Sequence, residues 1–157
     1  MKDCAEKLIS NTKLTIRSPK ASRPWQHVME PLAGYMILVE KMSKSKNFSS
    51  VWNFGPNLKN NLKVIELVKY CKKVLSSKSK IKIVKKKFYE SSHLSLDSGK
   101  SLKYLKWKTV LSAKEAIKFS LEWYKLYFNL KSKPKSKIIQ LSIDQVNKYF
   151  NLFDKRI

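Results

Sequence analysis

Glycine is nearly missing from this chain: Gly34, Gly55 and Gly99 are the only three in 157 residues. A backbone turn that cradles a dinucleotide pyrophosphate needs several closely spaced glycines, because only a residue without Cβ lets the main chain approach the phosphates. No spacing of these three can form such a fingerprint. Cysteine is equally scarce. Cys4 and Cys71 form no Cys-x-x-Cys pair, so neither a zinc site nor a disulfide framework is indicated, and both read as small hydrophobes in a reducing compartment. Two histidines, His27 and His93, are too few to suggest a metal centre. Long apolar runs are also lacking. The longest candidate, YMILV at 35–39, falls far short of the roughly eighteen residues of a membrane span. Asp3, Glu6 and Lys7 close behind Met1 do not fit a signal peptide, so the expected location is cytoplasmic, with no membrane partner.

Acids are outnumbered as well, 11 Asp and Glu against 34 Lys and Arg, for a formal net charge of +23. Such a balance ordinarily points to nucleic acid or an anionic surface. Here, however, the lysines are scattered from Lys2 to Lys155. Scattered lysine describes a solvated surface, or a basic binding protein that contacts nucleic acid nonspecifically. The densest runs, KSKIKIVKKK at 78–87 and KSKPKSK at 131–137, are where a dedicated site would lie. No helix carries a set of Arg, Asn or Gln suited to reading base edges.

What is present begins with arginine. Of only three, two fall in IRSPKASRPWQHVMEPLAGY, residues 16–35, together with three of the five prolines, one histidine and one of the four tryptophans. Arginine's planar fork matches a phosphate in a way that lysine's mobile point charge does not, so this stretch suggests a bound phosphate.

Periodicity predicts a mixed α/β chain. Helices are expected at 3–11, from Glu30 to about Lys44, at 64–75, at about 98–105, from the capping box Ser112-x-x-Glu115 to about Phe128, and from Ser142-x-x-Gln145 onward as a short final helix. Alternation predicts strands at 14–17, 50–54 and 81–88, with 93–96 as a fourth, and KSKPKSK reads as a linker. With 43% hydrophobic and 11% aromatic residues, the chain has enough apolar material for one core.

The motif Arg17-x-Pro19-x-x-x-Arg23-Pro24-Trp25-Gln26-His27-Val28-x-Glu30-Pro31-Leu32-x-Gly34-Tyr35 is similar to one carried by the CDP-glucose 4,6-dehydratases. Trp52-Asn53-Phe54-Gly55-Pro56, Glu90, Leu94, Leu96-Asp97, Lys100, Leu105-x-Trp107 and Glu122-Trp123-Tyr124 follow in matching order. The chain therefore resembles the C-terminal half of that family of extended short-chain dehydrogenases/reductases. It departs from the pattern at Tyr89-Glu90-Ser91, where the family usually has His-Glu-Ala, and at Leu105-Lys106-Trp107, where it usually has Leu-Gly-Trp.

The resemblance implies a sugar-nucleotide-binding lobe at 1–130 with remnants of a Rossmann sheet at 14–54, followed by a linker and C-terminal helix at 131–157. The N-terminal Rossmann part is missing from this chain. In the full-length family enzyme NAD oxidises C4 of the glucosyl ring of CDP-glucose, water leaves across C5 and C6, and the hydride returns to C6. The product is CDP-4-keto-6-deoxyglucose, an intermediate for deoxysugars such as those of O-antigen. The superfamily's Tyr-x-x-x-Lys pair occurs by spacing at Tyr104/Lys108 and Tyr127/Lys131, but in a lysine-rich chain roughly one such match arises by chance. Neither falls where the family places its catalytic pair. No catalytic or NAD-binding residue is thus expected here, and a separate N-terminal half would be the protein partner.

The resemblance also assigns substrate-binding residues. Arg23 would reach the diphosphate of the nucleotide sugar, the competing reading being an ion pair with an acid such as Glu30. Trp25, Gln26 and His27 would aim it, His27 being a packing histidine or a catalytic one. Glu90 would lie on a loop that contacts the nucleotide, or be a solvated acid. Arg17 reads as structural, and Trp107, Trp123 and Tyr124 as core aromatics.

Overall fold

Leu14 and Ile16 are buried while Thr15 between them is exposed, the alternation that makes Leu14–Ile16 a strand, β1. In the computed structural model, which describes residues 1–57, 61–84, 91–130 and 135–156, β1 pairs in parallel with β2 at Ile81–Ile83, Leu14 opposite Ile81 and Ile16 opposite Ile83. Three helices close over this pair. They are α1 (Lys2–Ile9), α2 (Val64–Val74) and α3 (Ala113–Asn129). Their inward residues Ala5, Leu8, Leu67, Val68, Cys71, Ile117 and Leu121 form the largest core cluster with Leu14 and Ile16. Cys4 and Cys71 meet there as free thiols between α1 and α2. Their juxtaposition was invisible in a spacing of 67 positions.

The helix of the arginine-containing stretch, α4 (Met29–Lys44), packs against α3 and against α5 (Lys135–Arg156) through Ala33, Val110, Leu111, Ala116, Phe119 and Tyr149. A third cluster, Phe54, Leu105 and Trp107, joins segment 50–57 to a short helix, α6 (Gly99–Leu105). Trp107 is buried as expected, whereas Trp123 and Tyr124 are half-buried. None of the helices is long and apolar enough to cross a membrane, among the described residues.

The class is the expected mixed α/β, but several elements differ. Residues 50–54, expected as a strand, pair with no strand among the described residues, because a strand exists only where a neighbour supplies its ladder. The predicted strand at 93–96 reduces to a single parallel bridge from His93 to Ser22. The predicted strand 81–88 is confirmed at 81–83, and 85–88 lie outside the described residues. Two very short strands, β3 (Ser22–Arg23) and β4 (Leu62–Lys63), pair antiparallel where none was predicted.

The last helix is not short and does not start at Ser142; it begins at Lys135. Instead of capping a helix, Ser142 sits inside one and donates its hydroxyl to the Ile138 carbonyl at 2.8 Å, a back-bond open to serine within a helix. Lys135–Lys137 of the predicted linker thereby join this helix, while 131–134 lie outside the described residues. The capping box at Ser112 is present as predicted, with the Ser112 hydroxyl accepting from Glu115 N–H and the Glu115 carboxylate accepting from Ser112 N–H.

Candidate functional site

Arg23 stands on β3, held on both sides. On one side β4 pairs with it, Arg23 opposite Leu62. On the other, Ser22 N–H donates to the Ser92 carbonyl at 2.9 Å, Leu94 N–H donates to the Ser22 carbonyl at 3.3 Å, and the Ser22 hydroxyl shares a 2.6 Å hydrogen bond with His93 Nδ1. The guanidinium Nη1 donates to the Ser22 carbonyl at 2.8 Å and to the Ser91 carbonyl at 3.0 Å. Arg23 is thus anchored to Ser91 and, through Ser22, to Ser92, His93 and Leu94. Glu90 itself lies outside the described residues.

Trp25, Gln26 and His27 diverge from this point. The Trp25 indole N–H donates to the Leu62 carbonyl at 3.0 Å and its ring packs on the core beneath β1. Gln26 Nε2 donates to the Phe54 carbonyl at 2.8 Å, fastening the turn to segment 50–57. His27 faces away from Arg23, with its ring edge-on to Phe119 at 5.6 Å and its Nδ1 accepting the Met29 N–H at 3.4 Å. Burial holds the His27 imidazole below its ordinary pKa. It lines a cavity of about 320 Å³ with Met29, Ser120, Trp123, Ser142 and Gln145, among others. Arg17 is exposed.

Two residues beside Arg23 carry an uncommon feature. Among the described residues, Gln26 Oε1 and both amide atoms of Asn61 are buried without a hydrogen-bond partner. Leaving such groups unpaired costs about 1–3 kcal/mol each. Asn61 directly precedes Leu62, the register partner of Arg23. Neither Asn61 nor Ser22 and His93 stood out in the sequence. The only signal was their position next to residues that did.

Glu30 has a different role from the one its sequence position suggested. Its carboxylate, fully buried, accepts N–H bonds from Val110 at 3.1 Å and Leu111 at 2.7 Å and the Tyr149 hydroxyl at 2.9 Å. Its carbonyl accepts the Trp107 indole N–H at 3.1 Å. The acid that was a candidate partner for Arg23 thus binds the 107–111 turn and α5.

Against known proteins, no family model matches the chain. CDP-glucose 4,6-dehydratase of Salmonella typhimurium is 30% identical over 121 residues, which cover 75% of this chain and 33% of that enzyme. This chain is related to the CDP-glucose 4,6-dehydratases. It spans about a third of the length of that relative. Two solved structures share the fold of the matching part. UDP-glucuronic acid 4-epimerase from Bacillus cereus, in complex with UDP-glucuronic acid and NAD, superposes with a TM-score of 0.69 at 14% identity, covering 78% of this chain and 38% of that one. RMD from Pseudomonas aeruginosa, complexed with NADPH, gives 0.64 at 15% identity, covering 80% and 42%. The fold is that of part of an extended short-chain dehydrogenase/reductase.

The residues present do not fit a dinucleotide. A Cβ on Gly34 would stand 2.3 Å from the Phe54 ring, and one on Gly55 would stand 2.5 Å from Leu96 Cβ. Both glycines let the chain's own parts pack closely; neither makes a turn around a pyrophosphate.

Proposed function

We propose that this chain is the substrate-binding part of a CDP-glucose 4,6-dehydratase, which converts CDP-glucose to CDP-4-keto-6-deoxyglucose and water, and that it is inactive alone. Residues 1–130 are the nucleotide-sugar lobe in this reading, with 131–157 its C-terminal extension. Arg23 contacts the diphosphate, Asn61 and Gln26 offer amide groups to the rest of the nucleotide, and Glu90 is a further nucleotide contact. Trp25 and His27 hold the turn that aims Arg23. NAD and the catalytic groups come from a separate N-terminal half, and the assembled enzyme works in the cytoplasm.

The observation that supports this reading is the anchoring of Arg23 to Ser91, within a stretch related to a CDP-glucose enzyme.

Calorimetric titration with CDP-glucose tests the assignment. Binding is expected for the wild-type chain, weakened at least tenfold by Arg23→Ala and by Arg23→Lys. No keto sugar should form when NAD is added to the chain alone. Unaided turnover would sink the claim of inactivity. Indifference to CDP-glucose, coupled with salt-sensitive binding to duplex DNA of any sequence, would instead favour a basic, non-enzymatic binding protein.

A further inference from the structure

Cys4 and Cys71 carry the chain's only thiols, and the fold brings them to one place with unequal access. Cys71 is 0% exposed, inside the main core cluster with Leu67 and Val68 of α2. Cys4 packs against that cluster from α1 and is only half-buried, so part of its surface meets solvent. Two packing hydrophobes would need no such difference. Thiol exchange does need it: one sulfur within reach of a reagent and a second beside the first.

A set of hydrogen bonds holds the pair in register. The Ser77 hydroxyl donates to the Leu8 carbonyl at 2.6 Å, the Ser79 hydroxyl donates to the Lys7 carbonyl at 3.0 Å, and Lys78 N–H donates to the Asn11 side-chain oxygen at 2.8 Å. These bonds fasten the last turn of α1 to the turn that follows α2. About one turn back from that clamp each helix carries its cysteine, Cys4 before Leu8 and Cys71 before Leu75. Ala5, next to Cys4, is fully buried and small, so no bulky side chain separates the helices there. The electrostatics agree with the geometry. The Cys71 thiol beside it holds the Cys4 pKa below its ordinary value, with burial opposing, whereas Cys4 first and burial second raise that of Cys71. The reachable sulfur is the one more readily ionised.

We propose that Cys4 is a modification site for small-molecule disulfides and that Cys71 resolves the adduct, closing a Cys4–Cys71 bond inside the native fold. In the first step the Cys4 thiolate attacks one sulfur of a disulfide RSSR, forming a mixed disulfide and releasing one RS group as thiolate. In the second, the Cys71 thiol passes its proton to that thiolate and its sulfur attacks the Cys4 sulfur, releasing the other RS group, which takes up the proton Cys4 lost. Two protein thiols are oxidised and one small disulfide is reduced to two thiols, with nothing else consumed. In a reducing compartment the bond is transient, forming when the disulfide share of the small thiols rises. The loop it closes contains Arg23, Leu62 and all of α4, so oxidation restrains the unfolded chain across the whole candidate site. None of this depends on what Arg23 binds.

The test is incubation of the folded chain with excess oxidised glutathione, then acid quenching and intact-mass measurement without reductant. The expected product has lost two hydrogens, carries no glutathione and shows no free thiol on titration. Cys71→Ala should stop at an adduct heavier by one glutathionyl group, and Cys4→Ala should stay unmodified because Cys71 is out of reach. Circular dichroism checks that each variant is folded, and Cys71→Val, which refills the core, replaces the alanine variant if that one loses its helical signal. The oxidised wild type should unfold at a higher urea concentration than the reduced form.

A wild-type chain that keeps both thiols, stops at the glutathione adduct, or closes the bond only in urea overturns the proposal. Chains linked in pairs through Cys4 overturn it too, by giving the reactive sulfur to a second copy. So does an oxidised form with a lower urea midpoint, since the native helices would then have to move to make the bond.

Discussion

The Tyr149 hydroxyl donates a 2.9 Å hydrogen bond to the carboxylate of Glu30, 119 residues away, and so ties the C-terminal helix to the first turn of α4. The same carboxylate accepts the N–H groups of Val110 and Leu111, at the turn that leads into α3. One buried acid thus joins α4, α3 and α5. Such an arrangement is stable only when each partner is in place, because the acid was desolvated to make it.

Tyr149→Phe is therefore expected to lower stability by about 1–3 kcal/mol at neutral pH, the cost of removing a buried hydrogen bond to a charged acceptor. Urea denaturation measures it. The wild-type protein should also lose stability in alkali. Burial first, then the neighbouring Glu30 charge and its hydrogen bond, raise the Tyr149 pKa above its ordinary value. A raised folded-state pKa means that the folded state keeps the proton more tightly than the unfolded chain does. The contribution is complete below the unfolded value of about 10 and is lost as pH rises beyond it. The phenylalanine variant should show a shallower decline above pH 10; an identical decline would show that Tyr149 does not drive it.

His27 predicts the opposite limb. Burial lowers its pKa, so the folded state favours the neutral ring, and the neutral Nδ1 is what accepts the Met29 N–H at the start of α4. The contribution is present above the unfolded value of about 6.5 and is lost as pH falls, by at most about 1.4 kcal/mol per pH unit for one proton. His27→Gln keeps an acceptor but cannot titrate. Denaturation midpoints from pH 7.5 to 4.5 should fall less steeply for the glutamine variant, and equal slopes would assign the acid sensitivity elsewhere.

Local signals were the legible part of this fold. The Ser112/Glu115 capping box needs only residues three apart, and it is where the sequence placed it. The helical stripe Leu32, Tyr35, Met36, Val39 and Met42 was visible too, but periodicity reports that a face exists and says nothing of what covers it. Residues 50–54 show the same limit, since strand propensity cannot supply the neighbour a ladder requires. Of the site, Arg23 stood out by its chemistry, while its anchor at Ser91 and the unpaired amide of Asn61 depend on contacts far apart in sequence. Glu30 was legible only as an acid near a helix start. Its partners at 110, 111 and 149 are set by packing that no local pattern encodes.

Lys106 gives a test of backbone strain that is independent of any ligand. It caps α6 in the left-handed region, with φ 57° and ψ 18°. A residue with a Cβ pays roughly 1–2 kcal/mol for this conformation, and glycine does not, which is why glycine is favoured just past a helix end. The dehydratase pattern usually has glycine at this position, between a leucine and a tryptophan. Here Leu105 and Trp107 on either side are buried, while Lys106 itself is exposed, so its side chain gains nothing from packing. Glycine loses more chain entropy on folding, which offsets part of the gain. Lys106→Gly should thus raise stability by about 0.5–1 kcal/mol, seen as a higher urea midpoint with an unchanged slope. A lower midpoint would mean that the lysine stabilises the turn by a contact stronger than the backbone strain it imposes.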